Sequence, residues 1–181
     1  RSNAFRGCSS LTIKVVTCPP TDIGYCAFNG CKELIFPDSM TAITNNLLNG
    51  CSSLVKITIP STVVEIGSNA FYGCSSFEKV TIPSSVKKIG YSSFRECSAL
   101  TEITFEEKAS ITVIGDYAFY RCTKLKEINI PSSVCSIGIS SFNRCSSLEK
   151  ISIPSSIEKI ENNLFSECSS LSSIVIPQSV K

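Results

Sequence analysis

The residues of this chain best equipped for chemistry are its cysteines, eleven among 181 residues. Eight form a series, Cys8, Cys31, Cys51, Cys74, Cys97, Cys122, Cys145 and Cys168, with steps of 23, 20, 23, 23, 25, 23 and 23 residues. Thiolates can ligate a metal, pair as disulfides, or attack as nucleophiles when a histidine activates them. The chain contains no histidine and no C-x₂-C pair, so no metal site is expected, and a Cys-His or Ser-His nucleophile is excluded. Equivalent cysteines of stacked repeats would stand about 5 Å apart, within the Cα range of a bridge. Their Cβ vectors would nevertheless run parallel instead of meeting. The remaining reading is a ladder of buried plugs, each cysteine acting as a small apolar residue. Cys18, Cys26 and Cys135 lie off the register. Cys18 and Cys26 share one repeat and are near enough to pair with each other, while Cys135 falls at an expected exposed position as a free thiol.

Other chemistry has little support. The serines concentrate in P-S-S turns, where hydroxyls are expected to bond local backbone. Glu106 and Glu107 adjoin in an insertion and not in a pocket, and no phosphate-binding glycine loop occurs. The expectation is therefore a chain that is not an enzyme and uses no cofactor. The net charge of +2 is spread along the chain, so no basic face for nucleic acid is expected. No run of eighteen apolar residues occurs, so no membrane insertion of this segment is expected either.

The elements that position the cysteines repeat with them. CSSLVKITIPSTVVEIGSNAFYG, CSSFEKVTIPSSVKKIGYSSFRE and CTKLKEINIPSSVCSIGISSFNR share one pattern, C-S-S-L-x-x-I-x-I-P-S-S-V-x-x-I-G-x-x-A-F-x-x. The alternation Ile57-Thr58-Ile59 has the period of a strand with one buried face, and Pro60 ends it. Val63, Ile66, Ala70 and Phe71 suit a tight turn followed by a short helical or 3₁₀ piece, with Gly67 letting the chain bend. One such unit cannot bury its apolar face, whereas stacked copies form a continuous core. Parallel pairing of equivalent strands at about 4.8 Å would place eight strands over roughly 35 Å. Two inward rows follow: Ile59, Ile82, Phe105, Ile130, Ile153 and Ile176, and Phe28, Leu48, Phe71, Phe94, Phe119, Phe142 and Phe165.

This pattern resembles the BspA-like leucine-rich repeats, in which L-x-x-L-x-L-P-x-x-L-x-x-I-G-x-x-A-F-x-x-C recurs about every 23 residues. The resemblance covers essentially the whole chain and implies an α/β repeat solenoid. That fold is a right-handed coil with a parallel β-sheet on the concave face and short helical, 3₁₀ or irregular segments on the convex face. Residues 1–181 are expected to form a single domain of about seven to eight repeats, a fragment of a longer protein without terminal caps. Departures are local. Lys14 and Thr17 replace the apolar residue and proline of the first repeat, the segment after Cys31 is three residues short, and a two-residue insertion near Glu106–Ser110 predicts a longer turn.

Alternate strand residues must face outward. One such row reads Val15, Ile35, Thr58, Thr81, Thr104, Asn129, Ser152, Val175, and the other Ile13, Glu33, Lys56, Lys79, Glu102, Glu127, Lys150, Ser173. Opposite charges adjoin at Glu33/Lys56, Lys79/Glu102 and Glu127/Lys150, each pair worth a few tenths to ~1 kcal/mol. These rows read either as a self-neutralising solvated face or as a recognition stripe. The stripe's candidate partner-binding residues are Lys56, Thr58, Lys79, Thr81, Glu102, Thr104, Glu127, Asn129, Lys150 and Ser152. The resemblance implies a surface adhesin or host-interaction module of a mucosal microbe or anaerobic protist, with a protein or host-cell/matrix ligand as partner. An intracellular leucine-rich-repeat scaffold is the alternative. Serine in place of Cys97 or Cys122 is expected to cost roughly 1–3 kcal/mol if its hydroxyl finds no partner, measured by equilibrium denaturation.

Overall fold

The computed structural model describes Phe28 and residues 30–181, together with the strand backbone of Thr12–Ile13. Cys8, Cys18, Cys26, Lys14, Val15 and Thr17 lie outside the described residues. The repeats opened by Cys31, Cys51, Cys74, Cys97 and Cys122 each form one coil with two short strands, and that opened by Cys145 keeps only the first. The strands are β1 (Thr12–Ile13), β2 (Glu33–Ile35), β3 (Ala42–Ile43), β4 (Lys56–Thr58), β5 (Glu65–Ile66) and β6 (Lys79–Ile82). They continue as β7 (Lys88–Ile89), β8 (Glu102–Phe105), β9 (Val113–Ile114), β10 (Glu127–Asn129), β11 (Ser136–Ile137) and β12 (Lys150–Ser152). All the pairing is parallel, with the repeat as register: Lys79 faces Glu102, and Ile89 faces Ile114. The strands lie in three sheets, β1-β2-β4, β6-β8-β10-β12 and β3-β5-β7-β9-β11.

Irregular repeats keep this register by confining their differences to turns. The three-residue deletion after Cys31 removes the turn that Ser52 and Ser53 form in the next coil, so Leu34 still pairs with Ile57. The insertion lengthens the turn after β8, and β9 still meets β7.

The core is a set of columns. Leu34, Ile57, Val80, Ile103, Ile128 and Ile151 are buried under the first face. Of the expected inward row, Ile59, Ile82, Ile130 and Ile153 are buried, whereas Phe105 is half-buried and Ile176 is 48% exposed. Phe105 sits at the insertion, and Ile176 lies in the last coil, with no described coil packed beyond it. The aromatic column is continuous: Phe71, Phe94, Phe119, Phe142 and Phe165 stack with centroids 4.8, 5.4, 5.3 and 5.9 Å apart. Phe165 alone of this stack is only partly buried.

The expected helical or 3₁₀ convex segments are not found; among the described residues there is no helix. Each convex run instead passes through two left-handed residues four apart, as at Asn46 and Gly50, Asn69 and Gly73, and Tyr117 and Arg121. Left-handed residues break α-helical geometry and turn alternate N–H groups toward the next coil. Asn46, Leu48 and Gly50 donate to the carbonyls of Ser68, Ala70 and Tyr72, while Leu47, Asn49 and Cys51 close i to i−3 turns within their own coil. The convex wall is thereby hydrogen-bonded coil to coil, an arrangement a helix would forgo because it spends its N–H groups internally.

Two other expectations are corrected by the same stacking. The turn hydroxyls bond the preceding coil and not local backbone: Thr62 donates to Met40 O, Ser85 to Val63 O and Ser179 to Ile157 O at 2.7, 2.6 and 2.7 Å. Gly67 and Gly90 serve close approach and not a bend. A Cβ on Gly90 would lie 2.7 Å from the carbonyl carbon of Gly67 and 2.8 Å from the nitrogen of Ser68. Alanine at Gly90 is expected to lower stability by about 1–3 kcal/mol through overpacking against backbone. Gly73→Ala, whose Cβ meets nothing nearer than 3.9 Å, should lose less, despite its left-handed φ. Urea midpoints of the two variants check this, and equal losses would refute it.

Candidate functional site

The ten candidate residues all stand on one face, exposed, while the residues between them are buried. The geometry follows from the two-residue strand period: Lys56 and Thr58 point out on either side of buried Ile57. Lys79 Nζ meets Glu102 at 2.8 Å, and Lys56 lies 3.9 Å from Glu33. The hydrogen bond to Glu102, and then its charge, raise the Lys79 pKa. Thr81 and Thr104 share a hydroxyl hydrogen bond of 3.0 Å. Glu127 is in register with Lys150 on one side and with Glu102 on the other. The charge row therefore contains like-charge steps as well as complementary ones.

One like-charge step coincides with a break in the sheet. Lys56 and Lys79 occupy the same repeat position on β4 and β6, and these strands belong to separate sheets. A groove of about 480 Å³ lies over this break, lined by Lys56, Thr58, Lys79, Thr81, Glu102 and Thr104 from the candidate set. Ile57, Ile59, Val80 and Pro83 form its apolar floor, and Val55, Glu78 and Glu106, which the sequence reading did not select, also line it. Their signal was adjacency: Val55 and Glu78 immediately precede Lys56 and Lys79, and Glu106 replaces the strand-ending proline. Glu127, Asn129, Lys150 and Ser152 continue the face beyond the groove. The groove can offer ammonium, carboxylate and hydroxyl groups at fixed spacing, which suits recognition of a mixed polar surface.

The cysteine column is placed elsewhere, inside the coil. Cys31, Cys51, Cys74, Cys97, Cys122, Cys145 and Cys168 are buried and Cys135 is exposed, and none of these is in a disulfide. The thiols are more than apolar plugs. Cys74, Cys97, Cys122, Cys145 and Cys168 each donate from Sγ to a carbonyl of the preceding coil, those of Leu48, Phe71, Phe94, Phe119 and Phe142, at 3.2, 3.1, 3.2, 3.2 and 3.0 Å. The Phe71 carbonyl also accepts the N–H of Cys74 in its own coil, so one acceptor ties two coils together. Serine at position 97 retains an acceptor within reach, which places its cost at the lower end of the range, ~1 kcal/mol. Among the described residues, no group of three or more His, Cys, Asp or Glu side chains is placed to hold a metal ion.

The family description for the BspA type leucine rich repeat region matches residues 1–112 and 107–181, in six copies. The chain belongs to the BspA-type leucine-rich repeat family. Solved structures of similar fold come from bacteria. A leucine-rich repeat protein from Bacteroides ovatus is 39% identical with a TM-score of 0.77 over 82% of this chain and 40% of that one. The T. pallidum leucine-rich repeat protein is 28% identical with a TM-score of 0.78 over 81% of this chain and 71% of that one. A leucine rich cell surface protein from Faecalibacterium prausnitzii is 25% identical with a TM-score of 0.54 over 99% of this chain and 64% of that one. The BspA-type chain thus spans less than half of the Bacteroides protein and nearly two thirds of the Faecalibacterium protein. Comparison with curated proteins gives no match. No helix among the described residues is long and apolar enough to cross a membrane.

Burial, reinforced by neighbouring thiols, holds Cys74, Cys97 and Cys122 protonated well above the ordinary thiol range, and Cys145 likewise. Burial pushes Cys168 up to about 11. In the unfolded chain these thiols titrate near about 8.5. Above that pH the folded state of the BspA-type chain binds more protons than the unfolded state, so stability falls as pH rises. The contribution is complete below about pH 8.5 and is progressively lost toward and beyond pH 11. Urea midpoints are expected to decline between about pH 8 and about pH 10.5, with a shallower decline in Cys97→Ala. An identical slope in that variant would refute the assignment.

Proposed function

We propose that this BspA-type chain is a non-catalytic protein-binding module of a cell-surface adhesin or host-interaction protein, and that it reads its partner with the concave row from Lys56 to Ser152. The observation that carries this reading is the groove over the β4/β6 break, which six of the candidate residues line together. Solenoids present extended concave surfaces of this kind to partners. The row holds neither tryptophan nor arginine, so affinity comes from many modest polar contacts summed along the array and not from a few aromatic anchors. The similar Faecalibacterium protein is a leucine rich cell surface protein, which supports the surface location.

An intracellular scaffold is favoured by one observation, the exposed free thiol of Cys135, because oxidising surroundings leave few such thiols unpaired. An impermeant maleimide applied to intact cells separates the two. Labelling that disappears in Cys135→Ser supports the surface, and labelling only after lysis supports the scaffold.

The binding reading is tested by reversing Lys56, Lys79, Glu102 and Glu127 together. Attachment to epithelial monolayers and to collagen-coated surfaces is expected to weaken by at least about ten-fold, equivalent to 1.4 kcal/mol. The melting temperature should change little, since exposed ion pairs contribute at most about 1 kcal/mol each. Unchanged attachment by a folded variant would move the site off this face.

A further inference from the structure

The convex surface carries a cluster that the concave reading does not use. The described tyrosines, Tyr72, Tyr91, Tyr117 and Tyr120, and the described arginines, Arg95, Arg121 and Arg144, all lie on convex turns of adjacent coils. Arg95 stacks between coils: its guanidinium carbon is 5.6 Å from the Tyr72 centroid, 4.7 Å from Tyr120 and 5.9 Å from Tyr117. Arg121 lies 5.5 Å over Tyr120. Tyr117 meets both Tyr91 and Tyr120 edge-on at 5.8 Å. Tyr91 is 48% exposed.

One feature of this cluster exceeds what stacking requires, a shortage of acceptors. Glu96 alone faces both Arg95, at 3.6 Å, and Arg121, at 3.8 Å, distances beyond a good hydrogen bond. Arg95 Nε is buried without a hydrogen-bond partner, a state that native structures rarely tolerate without a reason. Tyr117 and Arg121 have φ of 56° and 60°, the left-handed pair that other coils also carry, as at Ser140 and Arg144, so the fold itself sets the backbone beneath these side chains.

We infer that this convex patch is a second docking surface, independent of the concave face, and that it takes a protein segment presenting a carboxylate beside an apolar side chain. The carboxylate accepts charge-assisted hydrogen bonds from Arg121, whose side chain is 45% exposed, and offsets the charge of Arg95 beside it. The apolar side chain lies on the rings of Tyr91 and Tyr117. Tyrosine and arginine are the residue types that dominate interface hot spots, because they offer large contact area at low entropic cost. A polyanion fits less well, since Glu96, Glu167 and Asp116 on the same turns balance the three arginines and would repel a continuous line of negative charge.

The chain has no tryptophan, and four of its five tyrosines lie in the patch, so tyrosine emission reports occupancy directly. The probe is a soluble peptide carrying one Gly-Asp-Leu motif between neutral Gly-Ser flanks, with the same peptide carrying Gly-Lys-Leu, and heparin, as comparisons. The aspartate peptide is expected to change the emission saturably and to bind more weakly as salt rises, with little response to the lysine peptide. Arg121→Gly relieves the left-handed strain and should not lower the melting temperature, yet it should weaken aspartate-peptide binding about ten-fold; Tyr91→Ala, at an exposed position, should weaken it as well. Equal binding of the two peptides, tighter binding of heparin, or unchanged affinity in folded Arg121→Gly would overturn the inference.

Discussion

Everything in this molecule depends on one constraint: coils hydrogen-bond to their neighbours along the convex wall and, the break between β4 and β6 apart, along the concave strands, so equivalent residues must stay in register. Parallel strands do this on the concave side, and alternate N–H groups do it on the convex side. Turn hydroxyls and cysteine thiols add side-chain bonds to carbonyls one coil back. Because stability in such an array is a sum of nearest-neighbour contacts, any residue that disturbs the spacing disturbs two interfaces at once. The glycine column shows how tight that spacing is. Gly67, Gly90, Gly115 and Gly138 leave no room for a Cβ against the coil before. The next residue in that column is Glu161, and the sheet β3-β5-β7-β9-β11 ends one coil earlier.

Register also explains why the functional surfaces are rows. A side chain that faces out in one coil faces out in all of them, so Lys56, Lys79, Glu102, Glu127 and Lys150 form a line whether or not their charges agree. Where they do, as at Lys79 and Glu102, a short ion pair forms. Where two lysines meet, at β4 and β6, the sheet is interrupted and a groove appears. On the convex side the same logic stacks Tyr72, Arg95 and Tyr120 into an aromatic and cationic column. The core column of phenylalanines and this outer column are the same geometric device, one dry and one half-wet.

Much of this was legible in the sequence. The period, the parallel strands, the phenylalanine column, the buried cysteines and the exposed polar rows all follow from local alternation repeated at a fixed interval. The convex segments were misread because Val63, Ile66, Ala70 and Phe71 have helix-like spacing, while the informative residues were Asn69 and Gly73, which mark left-handed turns. The serine hydroxyls and Gly67 were assigned local roles, whereas their partners lie about one repeat away in sequence. Spacing within a repeat carries no information on what presses against it from the next.

By itself the sequence determined the architecture, because a 23-residue pattern that cannot bury its own apolar face has to stack, and stacking equivalent residues leaves few alternatives. Only the tertiary structure decided what depends on the contact between coils: the thiol hydrogen bonds of the cysteine ladder, the groove over the β4/β6 break, and the gathering of tyrosines and arginines on the convex wall. Those features arise between residues on different coils, and their distances are set by how closely one backbone can lie upon another.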